Sequence, residues 1–302
     1  MLVILRQVAV LLLFALVGCI LAKKKVLNAD YSSLLSALAV YVFLPCTAFN
    51  TFCTNFTVTY LTEKYPLILV SLVLLILLIL HGKFLAKKLQ PTGYDRAVYE
   101  YSLIIANGSY MGYPLMQSLY GTQGLLDSLV FALPIFVYTY TMGYDLLTEQ
   151  TGKGFKLKRL LTPVVVAMVL GCIVGLTGIP MPEIVTQATG SAAACLGPAG
   201  MLLLGIALSR FKVKELLVHK EVYVVTAMRL VVIPLVIFAL LKLLKLEFAM
   251  LPALMTYAMP CGMKTIVFPQ LIGHDCTRGA ALVMISTILS LITIPLCMYF
   301  LV

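Results

Sequence analysis

Long apolar runs, separated by short charged or Gly/Pro-rich breaks, extend over almost the whole sequence. A helix that crosses a bilayer needs roughly 20 mostly apolar residues, and the runs supply ten segments of that size. With 62% hydrophobic and 11% charged residues, the composition excludes an ordinary soluble protein. We therefore predict an all-α membrane protein with no soluble domain. Its ten predicted transmembrane helices, spans 1 to 10, cover about 5–22, 31–50, 65–86, 97–120, 124–147, 161–178, 184–209, 219–242, 247–271 and 278–302.

The basic residues alternate between the two sides of the predicted bundle. Sixteen of the 22 Lys and Arg residues lie in the odd-numbered loops, four lie on the other side, and only Arg229 and Lys264 lie within spans. Because positively charged loops stay cytoplasmic, we predict a plasma-membrane protein with both termini extracytoplasmic. The net charge of +10 is thus explained by membrane topology, and the predicted partner is the bilayer rather than nucleic acid.

Motifs of catalysis or metal binding are absent from the sequence. The eight cysteines include no CxxC pair, and no HExxH motif, paired aspartates or Ser/His constellation occurs within a span. We predict no enzyme, no cofactor and no metal site. The first apolar run lacks a small-residue cleavage site before Lys23, which favours a retained helix over a signal peptide.

Adding 153 to the residue number carries helix-breaking positions of the first half onto helix-breaking positions of the second half. It carries Pro45 onto Pro198, the polar break at Asn107 onto Pro260, and the end of span 5 onto the end of the chain. This predicts two five-span repeats, residues 1–150 and 155–302. Because five is odd, the second repeat starts from the opposite side, and the repeats are inverted.

Both repeats contain a span that cannot be a continuous helix. Proline removes an N–H and clashes with the preceding turn, and each glycine weakens a helix by roughly 1 kcal/mol relative to alanine. Backbone groups freed at membrane depth are tolerated only inside protein or beside a watery cavity. We predict that the broken spans 4 and 9 form the substrate site, with these ten residues: Asn107, Gly108, Ser109, Gly112, Pro114, Pro260, Gly262, Lys264, Thr265 and Pro269.

Lys264 is the most informative single residue of the predicted site. A lysine at a helix centre costs roughly 2.5–3.5 kcal/mol, and charges within spans usually mark pathways or counter-ions. Lys264 either pairs with a substrate carboxylate or occupies a cation position as a tethered charge; the alternative is a helix-end lysine that only neutralises freed carbonyls. For Arg229 we predict structural pairing, with Asp145 and Glu100 as the candidate partners.

The two breaks resemble those of the auxin efflux carrier superfamily, and within it the bacterial malate and malonate permeases. Residues 107–114 look like its N-x-G-x-x-G-x-P pattern in helix 4, with Ser109 where the pattern has its first glycine, and residues 259–262 with 268–269 resemble its helix 9. A third similarity lies in residues 286–295, so the resemblance covers essentially the whole chain. Many bacterial relatives are expected to carry a neutral Asn in place of Lys264, which leaves inherited cation coupling and substrate range open.

The resemblance implies that spans 4 and 9 cross at their breaks, with Asn107 beside the crossing. It also implies a scaffold of spans 1, 2, 6 and 7, a homodimer through spans 2 and 7, and elevator-type movement of spans 3–5 and 8–10. The predicted function is transport of a small organic anion, a mono- or dicarboxylate such as malate or malonate, or an auxin-like acid. An anion channel and a ligand sensor are the alternatives; substrate, direction and proton or sodium coupling stay open.

Overall fold

A computed structural model describes residues 2–27, 29–90, 92–149, 161–270 and 272–301. These residues are helical apart from turns, loops and one isolated β-bridge, so the all-helical prediction is confirmed. The predicted boundary between the repeats and four of the predicted cytoplasmic basic residues (Lys153, Lys156, Lys158 and Arg159) lie outside the described residues. In chain order the α-helices are α1 Leu2–Lys23, α2 Ala29–Leu38, α3 Leu44–Asn55, α4 Val58–Lys64, α5 Pro66–Leu89, α6 Tyr94–Ile104, α7 Tyr113–Phe131, α8 Leu133–Tyr140, α9 Met142–Leu147, α10 Pro163–Thr177, α11 Glu183–Ala194, α12 Leu196–Leu208, α13 Val213–Leu216, α14 Lys220–Ala227, α15 Ile233–Leu243, α16 Met250–Tyr257, α17 Lys264–Gln270 and α18 Thr277–Leu301.

Among the described residues, four short turns of other helix types extend these helices. Three are π-helical and one is a 3₁₀ turn: Ala39–Phe43 between α2 and α3, Gly108–Gly112 before α7, Met228–Val232 between α14 and α15, and the 3₁₀ turn Glu247–Ala249 before α16. Because a π turn widens the helix at one point, it re-aims the side chains that it carries.

Within the described residues, six helices are long and apolar enough to cross a membrane. They are Leu2–Lys23, Ser33–Asn55, Pro66–Leu89, Glu183–Leu208, Lys220–Leu243 and Thr277–Leu301. The count becomes seven only if Gly108–Phe131 and Leu133–Leu147, two apolar helices bent by 49° at their junction, are taken together as one span. The chain is therefore an all-helical membrane protein, but length and composition give six or seven spans rather than ten. The other predicted spans are short or divided, since α6, α16 and α17 have only 11, 8 and 7 residues.

The chain reverses direction at Gly121, inside α7. Gly121 has φ +66° and ψ −165°, a conformation that glycine adopts readily because it has no Cβ. Beyond it the chain returns alongside α6: the Tyr94 hydroxyl donates to the Leu147 carbonyl, and a Cβ at Gly143 would lie 2.9 Å from the Tyr101 ring. The residues on either side of Gly121 thus form an antiparallel helical pair.

The closest helix contacts are those of α1 with α12 and of α3 with α10, and glycines make both possible. A Cβ on Gly18 would collide with the Leu202 carbonyl, and a Cβ on Gly171 would lie 2.8 Å from the Phe49 carbonyl oxygen. In lipid, helices associate through close packing rather than the hydrophobic effect, so small residues set how near they come. These four helices lie in the predicted scaffold spans.

We expect Gly171→Ala to lower the thermal stability of the purified protein. The added Cβ would push against the α3 backbone, and such overpacking typically costs about 1–3 kcal/mol. Gly190→Ala is the matched control, because nothing lies within 4 Å of a Cβ there and its helix should be as stable or slightly more so. Melting followed by size-exclusion chromatography in detergent checks both, and an unchanged Gly171→Ala variant would contradict the close contact.

Candidate binding site at two facing helix breaks

The two predicted breaks lie against each other. Helix α6 ends at Ile104, and Ala106 forms an antiparallel bridge with Cys261, which follows α16. The Asn107 N–H donates to the Pro260 carbonyl at 2.8 Å. Each break therefore supplies hydrogen-bond partners to the other, which meets the requirement that backbone groups be satisfied inside the membrane.

Small and hydroxyl side chains allow this close approach. A Cβ on Gly262 would lie 3.2 Å from the Ala106 carbonyl oxygen, so a larger residue would press the two breaks apart. Ser286 of α18 accepts the Cys261 N–H at 3.0 Å and donates to the Leu282 carbonyl at 2.6 Å. The crossing is thus fixed to α18 as well as to itself.

A small cavity of about 40 Å³ lies beside the crossing. Four of the ten predicted site residues line it, namely Gly108, Ser109, Gly112 and Lys264. The opposite wall comes from one face of α7 and α8, where the lining residues recur every three or four positions from Ser128 to Thr139. We did not predict this face from the sequence, although its polar residues at helical spacing within an apolar span were a usable signal.

The other six predicted residues do not line this cavity. Pro114 lines a neighbouring cavity; Asn107, Pro260, Gly262 and Thr265 are buried at or next to the crossing, and Pro269 is buried near the end of α17. Thr265 donates to the Gly262 carbonyl at 2.8 Å and so closes the first turn of α17. The Asn107 side chain is only 3% exposed, and its amide nitrogen has no hydrogen-bond partner among the described residues.

Lys264 places a positive charge on the cavity wall. Its ammonium nitrogen lies 5.1 Å from the centre of the Tyr140 ring, a distance that permits a cation–π interaction. Within the described part of the chain no carboxylate forms a salt bridge with Lys264, which is half-buried. Among the described residues no carboxylate neutralises its charge, so Lys264 leaves a positive charge on the wall of the cavity.

A second cavity of about 380 Å³ lies between α3, α7, α11 and α12. Its polar lining residues carry hydroxyl and amide groups and no charge: Thr47, Asn50, Thr51, Tyr113, Gln117, Ser118 and Thr122. Tyr113 is in the wall of both cavities. The larger, uncharged cavity therefore borders the smaller, positively charged one.

Arg229 does not make the ion pair that we predicted. The guanidinium of this fully buried residue donates to backbone carbonyls at the two breaks instead of to Asp145 or Glu100. Sequence reasoning looked for an acidic side chain, whereas the partners are peptide groups that any residue carries. The prediction of structural pairing with an acid is wrong.

Comparison with known proteins finds a match to a family described as membrane transport protein, over residues 3–298. An uncharacterized transporter of Methanothermobacter thermautotrophicus is 26% identical over 304 residues, a match that covers 94% of each chain. Both helix breaks and both cavities fall within the matched residues.

We expect Ser286→Ala to destabilise the protein more than Ser290→Ala. Both serines are fully buried in α18, but only Ser286 accepts a backbone N–H from the crossing, while Ser290 bonds within its own helix. A buried N–H left without a partner costs about 1–3 kcal/mol. Thermal unfolding of the two variants measures the difference, and equal midpoints would show that the bond to Cys261 contributes nothing.

Proposed function

Because this chain belongs to the membrane transport protein family, the auxin efflux carrier family, we propose that it is a secondary active carrier of a small organic anion. The proposed substrates are mono- or dicarboxylates such as malate or malonate, or an auxin-like acid. The observation that carries the proposal is the half-buried Lys264 on the cavity wall, with no carboxylate partner among the described residues.

Lys264 and its surroundings suit a carboxylate. A charged group held within a membrane span is costly unless it serves a pathway or a counter-ion, and a substrate carboxylate would supply the missing negative charge. A hydrogen bond between an ammonium and a carboxylate is about twice as strong as a neutral one. The Asn107 amide offers a second donor at the crossing, and the space beside Gly108 is open to at least 4 Å.

The dimensions of the two cavities support alternating access. A cavity of about 40 Å³ has room for a few water molecules but not for a dicarboxylate, since sites for small molecules usually have about 300–1,000 Å³. The neighbouring cavity of about 380 Å³ is large enough. A carrier has to widen the inner site as it moves, whereas an open channel would need a continuous path.

Helix positions support ten spans in two inverted repeats, residues 1–150 and 155–302. Shifted by 153 residues, 30–55 becomes 183–208, which is the extent of α11 and α12, and 94–104 becomes 247–257, which is the 3₁₀ turn with α16. The same shift turns the contact of Gly18 with the Leu202 carbonyl into that of Gly171 with the Phe49 carbonyl. Two-fold symmetry requires such reciprocal contacts.

Glycines of α12 support an elevator in which spans 3–5 and 8–10 move past a scaffold of spans 1, 2, 6 and 7. A Cβ on Gly197 would lie 2.9 Å from Pro114, and a Cβ on Gly200 would lie 2.7 Å from the Tyr110 Cβ. A helix face without side chains presents little resistance to sliding. Extracytoplasmic termini and a homodimer through spans 2 and 7 complete the proposal.

The test of function is uptake of labelled malate, malonate, lactate or indole acetate into proteoliposomes. We expect transport of at least one anion and a loss of roughly tenfold or more in Lys264→Ala, because a charged hydrogen bond contributes about 1.5–3 kcal/mol and 1.4 kcal/mol is a factor of ten. Lys242→Ala is the matched control, since Lys242 also lies over a ring, 5.5 Å from Phe238, but is exposed and far from the cavity walls.

Each other outcome has a definite meaning. Equal transport by the Lys264→Ala variant would remove Lys264 from the site. Conductance far above carrier turnover would identify an anion channel, and saturable binding without flux would identify a sensor. A loss of transport in Lys242→Ala of the same size would show that the assay reports general damage.

The elevator predicts that a cross-link between α12 and the turn before α7 stops transport. In the double variant Tyr110→Cys, Gly200→Cys the two Cβ atoms lie near enough for a disulfide after a small adjustment, because disulfides need about 3.5–4.5 Å between them. We expect oxidation to abolish uptake and reducing agent to restore it. The two single variants control for the eight native cysteines, and undiminished uptake by cross-linked protein would rule out sliding at this contact.

A further inference from the structure

Arg229 is the largest fully buried side chain among the described residues; its Nε and Nη1 contact three backbone carbonyls, and its Nη2 has no hydrogen-bond partner among the described residues. One guanidinium nitrogen, Nη1, lies 3.1 Å from the Leu103 oxygen and 3.4 Å from the Ile104 oxygen, and Nε donates to the Met259 oxygen at 3.3 Å. Arg229 makes no salt bridge to any described carboxylate. Its π turn, Met228–Val232, directs the side chain to the crossing.

The three acceptors lie where two half-helices end. Leu103 and Ile104 are the last residues of α6, and Met259 follows the end of α16 by two residues. The end of a helix carries about half a negative elementary charge, so two ends together carry about one. The guanidinium carries one positive charge, which means that peptide dipoles from the two breaks balance it without an acidic side chain.

Carbonyls at the ends of interrupted helices are the groups that coordinate Na⁺ in other secondary transporters. We propose that Arg229 is a tethered cation that takes the place of a metal ion at this crossing and positions both half-helix ends. The protein then needs no sodium to hold its site together. The inference rests on the proposed function for the role of the crossing. It assigns different roles to Arg229 and Lys264, the two charges inside the predicted spans.

Arg229 holds the two helix ends in position, whereas Lys264 binds the substrate. The negative helix ends are neutralised by Arg229, so Lys264 has no need to act as the tethered cation. Its own neighbour is the Tyr140 ring rather than a carbonyl of α6 or α16. Arg229 is therefore a positioning residue, and the positive charge at the cavity stays available to an anion.

The experiment compares the thermal stability of the purified full chain with that of Arg229→Ala, Arg229→Lys and Arg229→Met in detergent. We expect the wild type to melt at the same temperature in sodium, potassium and choline chloride. Arg229→Ala should melt several degrees lower and be restored by millimolar methylguanidinium chloride, but not by tetramethylammonium chloride. Arg229→Lys should keep most of the stability, whereas Arg229→Met, which fills the volume without charge, should not. Lys242→Ala, from the same bent helix, controls for loss of a cation.

Three results would overturn the proposal. They are specific stabilisation of the wild type by sodium, an Arg229→Met variant as stable as the wild type, and a folded Arg229→Ala variant that methylguanidinium leaves unchanged. If Arg229→Ala does not fold, the comparison of Arg229→Lys with Arg229→Met decides alone. No substrate is used, so failure here is independent of failure in the uptake assay.

Discussion

The hydrogen bonding of two interrupted helices to each other is the interaction on which the rest of the structure depends. Lipid cannot satisfy the groups that a broken helix exposes at membrane depth, so these groups need partners in the protein or water in a cavity. The Asn107 N–H donates to the Pro260 carbonyl, Ser286 accepts the Cys261 N–H, and Arg229 donates to carbonyls at the ends of α6 and α16. Once these groups are satisfied, the crossing can border a cavity without collapsing into it.

Electrostatics then divides the crossing into two regions. Carbonyl ends of α6 and α16 surround Arg229, which no solvent reaches. Lys264 begins the next half-helix on the other side of the break, over an aromatic ring and beside the cavity. Arg229 is therefore paired with backbone carbonyls, whereas Lys264 has no carboxylate partner among the described residues, although both are single charges inside a hydrophobic sequence. Burial and partners, rather than position in a span, distinguish them.

Sequence reasoning succeeded where local chemistry decides the outcome. Pro114 and Pro260, each with a glycine two residues away, mark breaks whatever surrounds them. It failed where tertiary partners decide. Nothing in the pattern around Asn107 indicates that it does not line the cavity, and no motif indicates that Arg229 binds peptide carbonyls. The ten predicted spans and the six or seven long helices also differ, because half-helices such as α17 are too short to count as spans by length.

The bond between Asn107 and Pro260 runs in one direction only. The two residues are equivalents under the 153-residue shift, so a perfectly duplicated chain would form the reciprocal bond from residue 260 to the Asn107 carbonyl. Proline has no N–H to give, and the Asn107 carbonyl instead accepts from Met111 and Gly112. Exchange of the two halves would therefore not reproduce the same energy. The crossing is therefore asymmetric, because one of the two positions related by the shift has no N–H to donate.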